Sequence, residues 1–422
     1  MDKIVCSLEE WDSVIGYYRP NGSSKTWYLK ELKELRLPLM WENWTVFSEQ
    51  GELFDRGYFE NLITPKLLDN IDYQTQVKVG DNPHIYIIHI STHSFFKTNE
   101  PIGFSCVSEK YLNDVRMGRA MIAMFFIYEG YSGILGNDDF ETIERWRIRS
   151  GLPEGSIYYL NGNLLSREIV EGKGYGFHAR GIHYFEPWNK YNGPSVGFNP
   201  KNNKNLFLSY NRATRHHRIL MASDLISEGL FERGLVSMNK LDYPLPIQTS
   251  REVEDYLVQN TPFIIDSKYN LVNNLACNIT IEDYESTFVS LVTETLVDEG
   301  TLFFSEKIWK PIMVGHPFLL FGNRGSLSYL RNLGYQTYGQ WFDESYDDIV
   351  DRGERSSKII ENLTKYSRYS IDDLRRIRIE MNEVCEFNRN HYHNLYNQKY
   401  YSGDKNTQIK DVLEEIWFKI RG

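Results

Sequence analysis

The chain has 422 residues, 41% of them hydrophobic and 25% charged, and carries a formal net charge of −10. That length predicts about two to three domains of roughly 150 residues, with a globular composition that allows sizeable cores. The acidic balance excludes a protein that coats nucleic acid by neutralising phosphates along its whole surface, and leaves room only for a local basic cleft.

No apolar run approaches the ~20 residues needed to cross a bilayer, and the opening MDKIVCSLEEWDS has no hydrophobic core behind basic residues. A cytoplasmic protein with no membrane partner is therefore expected. Cys6, Cys106, Cys277 and Cys385 are far apart, without a metal-type pair, and read as reduced thiols. Residues 1–80 offer amphipathic helix candidates near Leu29 to Leu35 and Asp55 to Leu68, and no catalytic motif.

From His84 to Ile90 the run HIYIIHI is β-rich, and from Ala120 to Tyr128 a second apolar run ends at Glu129-Gly130. Both read as buried parallel strands, whose carboxyl ends are where ligands bind in an open α/β sheet. A carboxylate at the rim of an apolar strand is partly desolvated, which raises its pKa toward a general base's range. Glu129 is the candidate base on that ground; a carboxylate capping the turn at Gly130 is the plain alternative. His93, in the polar turn after the first of these strands, is the next candidate, with His89 beside it.

Ser156 to Leu165 reads as another strand, with Asn161 and Asn163 at its turn. Phe177 to Trp188 is aromatic and rich in donors; it fits either an acceptor-side surface or a loop packed by its own rings. The Gly- and Pro-rich stretch Pro187 to Asn205 reads as an interdomain linker.

The strand Asn205 to Asn211 opens the second half and leads into Arg212, Arg215 and Arg218 ahead of an amphipathic helix. Arginines just past a first strand suit an anion, each charge-assisted bond contributing about 1.5–3 kcal/mol. A solvated basic helix face is the alternative. Phe288 to Val292 and Phe318 to Phe321 then have strand length, with helix-like segments after and between them, the rhythm of a β-α-β-α unit.

Ser305 is placed to cap a helix with Ile308, Trp309, Ile312 and Met313 on one face, ended by Gly315. Pro311 removes one backbone bond from that helix and is expected to separate its first turn from the rest. Ser326 is expected to cap a second helix, closed by Gly334. Glu306 and Lys307, side by side at the first helix N-terminus, suit a phosphorylated ligand: the open N–H groups and Lys307 attract phosphate, and Glu306 accepts from sugar or ribose hydroxyls. Ordinary N-terminal helix chemistry is the bland alternative.

His216-His217 and His391-Tyr-His393 lack the spacing of a metal site, so no metal is expected. The acidic run Asp343 to Asp348 reads as a solvated loop and helix start. Helical patterns from Arg352 to Asn388 and from Ile409 to Ile420 finish the chain.

Glu294, then Ser305-Glu306-Lys307, Trp309, Gly315 and Pro317 leading into an apolar strand, resembles the donor-binding motif of alpha-1,3-fucosyltransferases. The string is closer still to related glycosyltransferases encoded by bacteriophages. Asn211, Arg212 and Arg218 match the Asn-Arg and later Arg that open the donor domain of that family. The resemblance spans roughly Asn205 to Val350. It departs at Ser305, where the fucosyltransferases have Thr, and at Glu294-Thr295 in place of Glu-Asn.

The resemblance implies an α/β GT-B fold, with two Rossmann-like domains facing across a cleft and C-terminal helices. On that reading residues 1–198 form an acceptor-side domain, 199–395 a donor-binding domain, and 396–422 a helix packing back on the first. It implies a metal-independent, inverting glycosyltransferase using a UDP- or GDP-linked sugar as co-substrate and no cofactor. Donor contacts would come from Asn211, Arg212, Arg218, Glu294, Ser305, Glu306 and Lys307.

The phage relationship implies hydroxymethylated cytosine in duplex DNA as acceptor, in an infected host cell, with a glycan or other small hydroxyl compound as the alternative. Base flipping would need rim residues such as Tyr131, Phe177, Tyr184 and Trp188. It would also need a basic patch, for which Arg116, Arg119, Arg145, Arg147, Arg149 and Arg180 are the candidates. A non-catalytic nucleotide- or glycan-binding protein is the reading from another class.

Overall fold

The computed structural model describes residues 4–8, 71–75, 83–90, 109–126, 138–181, 193–200, 206–265, 279–297, 299–398 and 409–422. The chain is α/β, and by its contacts it divides into two compact units, Met1–Pro187 with Lys399–Gly422, and Trp188–Gln398. Each unit holds one parallel sheet.

The first unit contains strands β1 (Ile4–Leu8), β2 (Ile71–Thr75), β3 (His84–Ile90), β4 (Ala120–Phe126), β5 (Ile157–Asn161) and β6 (His178–Gly181), in the order β2-β1-β3-β4-β5-β6. All neighbours are parallel. Helices α1 (Glu109–Arg116), α2 (Asp139–Arg149) and α3 (Ser166–Lys173) lie between its later strands. A parallel sheet is covered on both faces, which is why β5 is buried at every position.

Helix α2 starts where the Asp138 side chain accepts from Glu141 N at 2.9 Å, and it buries Phe140, Ile143 and Trp146. Phe177 belongs to the same core, is 3% exposed and stacks on Tyr175. This corrects its assignment to an acceptor rim: the ring has no face left for a ligand. The stretch His178–Gly181, expected as part of an aromatic loop, is instead the edge strand β6.

The second unit contains β7 (Phe207–Asn211), β8 (Gly234–Met238), β9 (Val289–Thr293) and β10 (Phe318–Phe321), in the order β10-β9-β7-β8, again all parallel. Its helices are α4 (His216–Ser227), α5 (Arg251–Asn260), α6 (Ile281–Glu285), α7 (Glu306–Val314), α8 (Ser326–Asn332), α9 (Arg352–Ser367), α10 (Ile371–Glu380) and α11 (Asn382–Gln398). The chain passes from β7 to β8 on one side, then returns to β9 on the other side of β7. The topological switch point therefore lies between β7 and β9, outside their carboxyl ends.

Helix α7 forms as its sequence demands: the Ser305 side chain accepts from Lys307 N at 3.3 Å, and Ile308, Trp309, Ile312, Met313 and Val314 are buried. Gly315 closes it with φ +70°, a left-handed turn that suits glycine. Pro311 sits inside the continuous helix and does not detach the first turn.

Helix α8 differs from expectation. Its N-cap is Gly325, while Ser326 is the first helical residue and its hydroxyl donates to Asn323 O at 2.6 Å. The open N–H groups of α8 go instead to Asp347, whose two carboxylate oxygens accept from Leu327 N and Ser328 N, each at 2.9 Å. Asp347 is 4% exposed, and Glu344 accepts from Tyr338 N at 2.6 Å and from Thr337 Oγ1 at 2.8 Å. This part of the acidic run is a buried clip rather than a solvated loop.

The helical pattern expected from Arg352 to Asn388 is three helices, α9 to α11, and Ser370 and Asp373 form the capping box that starts α10 afresh. In the first unit the final helix α12 (Ile409–Arg421) packs on β1, β3 and β4, burying Val412, Ile416 and Trp417. Tyr158 of β5 donates to Glu415 of that helix at 2.7 Å. No helix among the described residues is long and apolar enough to cross a membrane.

Candidate functional site

At the switch point the carboxyl ends of β7 and β9 are stitched together by side chains. Asn211 is fully buried; its carbonyl accepts from the Thr293 hydroxyl, and its amide donates to Ser209 Oγ at 3.0 Å. Ser209 in turn donates to Leu291 O at 3.1 Å. Asn211 thus clips two strands, and every contact it makes here is internal.

Immediately beyond, helix α4 begins without a side-chain cap, and its first turn carries His216, His217 and Arg218. Arg218 is 2% exposed. Its guanidinium donates to Ala213 O at 3.2 Å, Thr293 O at 3.4 Å and Glu294 O at 3.2 Å. His217 Nε2 makes a 2.8 Å bond with Glu294 O, and Arg215 donates to Thr295 O at 3.0 Å. Burial, reinforced by the Arg218 charge, lowers the pKa of His217 to about 3, so the ring is neutral near pH 7 and donates to that carbonyl. Three side chains at the start of α4, Arg215, His217 and Arg218, therefore hold the backbone that leaves β9.

Glu294 is the next residue of that backbone and is fully buried. Its carboxylate accepts from Ser305 N at 3.2 Å to each oxygen, from the Ser305 hydroxyl, and from Thr295 N at 3.1 Å. Burial pushes its pKa up, opposed by the Lys307 charge and the Ser305 hydrogen bond. Lys307 Nζ donates to Ser305 Oγ at 3.3 Å, to Thr295 Oγ1 at 3.5 Å and to the Glu306 carboxylate.

The outermost pair is the part that stays open to solvent, with side-chain exposures of 19% for Lys307 and 24% for Glu306. Burial acts to raise the Glu306 pKa, yet the charges of Lys307, Lys310 and Arg218 outweigh it and hold the carboxyl below its ordinary range. Glu306 is thus an anion near pH 7, set in a locally basic field within an acidic protein.

Of the donor-site residues read from the sequence, Asn211, Arg218, Glu294, Ser305, Glu306 and Lys307 are brought into this one network, and Arg212 lies in the loop between β7 and α4, its carbonyl accepting from Asn239 N at 3.0 Å. Depth separates them. Asn211, Arg218, Glu294 and Ser305 are buried and bonded to protein, whereas Glu306 and Lys307 face outward. Thr295, Lys310 and His217 were missed; the one signal available was that Thr295 adjoins Glu294 and Lys310 follows Lys307 by three residues, a helical neighbour.

The candidate base Glu129, its alternate His93, and the rim residues Tyr131, Tyr184 and Trp188 lie outside the described residues. The basic patch is not assembled as expected. Arg116 pairs with Glu109, Arg119 with Asp114, Arg145 with Glu141, Arg147 with Glu144 and Arg180 with Glu415. Arg147 is moreover 8% exposed and donates to Leu152 O at 3.0 Å. Local helix spacing explains two of these pairs, Arg145 with Glu141 and Arg147 with Glu144, since residues three and four apart share a face. Among the described residues no three His, Cys, Asp or Glu side chains gather as metal ligands.

Compared with family models and with curated proteins, the chain matches none. Among solved structures it is similar to one described as the glycotransferase of kitacinnamycin, at 8% identity and a TM-score of 0.29, over 80% of this chain and 77% of that one. A likeness of that size carries no argument about activity.

Proposed function

We propose that the protein is a GT-B glycosyltransferase that binds a nucleotide-diphosphate sugar at the carboxyl edge of its second sheet. The observation that carries this reading is the outward-facing Glu306–Lys307 pair at the N-terminus of α7, beside the β7/β9 switch point and backed by Arg218 and Lys310. Lys307 and the first N–H groups of α7 suit the diphosphate, which must be stabilised as the leaving group, and Glu306 suits a sugar or ribose hydroxyl. The sequence resemblance around Ser305-Glu306-Lys307 adds the sugar to what would otherwise be a generic nucleotide site.

The reaction on this reading is a displacement at the anomeric carbon. A general base, for which Glu129 is proposed, takes the proton of the acceptor hydroxyl as the new glycosidic bond forms, and the nucleoside diphosphate leaves with the electron pair of the broken C–O bond. Of the two acceptors considered, a glycan or other small hydroxyl compound is favoured over hydroxymethylcytosine in duplex DNA. Five of the six arginines meant to meet phosphates are already held by carboxylates, and a duplex would have to break those pairs.

A thermal-shift screen against UDP- and GDP-linked sugars tests the donor, because a ligand at 100 times its dissociation constant stabilises by about 2.7 kcal/mol. Incubation of the best donor with small hydroxyl acceptors and with hydroxymethylated duplex, followed by mass spectrometry, then tests transfer. Stabilisation without transfer to any acceptor would leave a nucleotide-sugar-binding protein; no stabilisation by any sugar nucleotide would end the proposal.

A further inference from the structure

We infer that Glu294 does not touch the donor but positions the ion that does, by fixing the direction of a hydrogen-bond chain from Lys307 through Ser305. The inference rests on the reading that Lys307 meets the diphosphate. A carboxylate with no exposed surface has no route to a ligand, and the groups around Glu294 are donors: Ser305 N, the Ser305 hydroxyl and Thr295 N. That surrounding fixes the group as an acceptor.

The Ser305 hydroxyl carries one proton, and it gives that proton to Glu294. Its lone pairs then face the other way and accept from Lys307 twice, from the backbone N at 3.3 Å and from Nζ at 3.3 Å. One hydroxyl therefore both caps α7 and anchors the ammonium, and it does so only while Glu294 takes its proton. Without that acceptor the hydroxyl can turn and point its hydrogen toward Lys307, where it would repel rather than receive.

Charge argues the same way. A cation at a helix N-terminus is opposed by the positive end of the helix dipole, so Lys307 stands where an ammonium is least welcome. Glu306 offsets this from outside, but Glu306 is at the surface and is proposed to receive hydroxyls of the donor. Glu294 supplies a hydrogen-bond acceptor from beneath, shielded from solvent and held in place by Ser305 and Thr295. It thereby keeps Lys307 aimed at the spot a phosphate would occupy when Glu306 turns to the sugar.

The test is a double-mutant cycle read by calorimetric titration with UDP and GDP, the wild-type chain and the variants Glu294→Gln, Ser305→Ala, Ser305→Thr, Lys307→Ala, and Ser305→Ala combined with Lys307→Ala. Glu294→Gln keeps the volume of the buried side chain, and Ser305→Thr keeps the hydroxyl. Loss of one charge-directed contact is expected to weaken the better nucleotide about tenfold in Glu294→Gln and in Ser305→Ala, with Ser305→Thr binding as wild type. Combining Ser305→Ala with Lys307→Ala is expected to cost no more than Lys307→Ala alone, because both act through one ammonium.

A wild-type protein that binds neither nucleotide overturns the donor reading itself, and this inference with it. If the wild type binds, Lys307→Ala loses binding, and Glu294→Gln and Ser305→Ala keep it, the donor reading stands and the positioning role is refuted. Full additivity of Ser305→Ala and Lys307→Ala refutes it as well, and this arm holds even if Glu294→Gln does not fold.

Discussion

Replacing Arg218 by Ala separates two readings of the same arginine. As a phosphate ligand it would be dispensable for folding; as placed, it lies 2% exposed with its guanidinium donating to Ala213 O, Thr293 O and Glu294 O. Three bonds from a charged donor contribute roughly 1.5–3 kcal/mol each. Two of the three carbonyls keep another partner, since Ala213 O also accepts from Arg215 N at 2.9 Å and Glu294 O is bound by His217. The expected loss is therefore below that sum, about 3 kcal/mol, with the vacated volume adding to it. For a unit of about 200 residues a destabilisation of that size lowers the melting temperature by about 6–12 °C. Scanning calorimetry of Arg218→Ala beside Lys307→Ala is the assay. Lys307 is partly exposed and holds no buried carbonyl, so its variant is expected to melt close to wild type. An Arg218→Ala variant that melts like wild type, while losing nucleoside diphosphates, would refute the burial argument and restore the phosphate role.

His217 and His316 are both buried, and burial lowers each to a pKa of about 3. Their folded pKa lies below the unfolded value near 6.5, so the unfolded chain takes up the protons; stability is complete above about pH 6.5 and is lost as pH falls toward 3, by about 2 kcal/mol per histidine at pH 5. Melting at pH 7 and pH 5 is the check, and equal midpoints would contradict it. Asp347→Ala removes the carboxylate that accepts from Leu327 N and Ser328 N, and a loss of about 1–2 kcal/mol by thermal melting is expected. Glu306→Gln releases Lys307 from its ion pair, and is expected to tighten UDP or GDP several-fold while weakening the matching sugar nucleotide; parallel loss of both in titration would show that Glu306 serves the nucleotide and not the sugar.

The strands with continuous apolar runs were legible. HIYIIHI and FLLF became β3 and β10 with the expected ends, because a strand buried on both faces needs little beyond its own residues to declare itself. IVCSL, IDYQT and GLVSM were not read as strands; they are short, and their place is set by partners far along the chain, as Ile4 pairs with Ile71 and Phe207 with Gly234. The cap at Ser305 was local and was read correctly, whereas the cap of α8 was not, since its carboxylate comes from Asp347, 20 residues beyond Leu327. The site shows the same division. Glu306 and Lys307 declare themselves by adjacency at a helix start, but the depth of Arg218 is decided by carbonyls 75 and 76 residues away, which no pattern near the arginine foretells.

Lys307 is the residue on which the account turns, and titration of UDP, GDP and their sugar conjugates into the wild type and into Lys307→Ala tests it most directly. The account predicts saturable binding of at least one of these nucleotides by the wild type, and a loss of about tenfold or more in a Lys307→Ala variant that melts like wild type. Binding that is unchanged by the substitution, or no binding by the wild type at all, would contradict it.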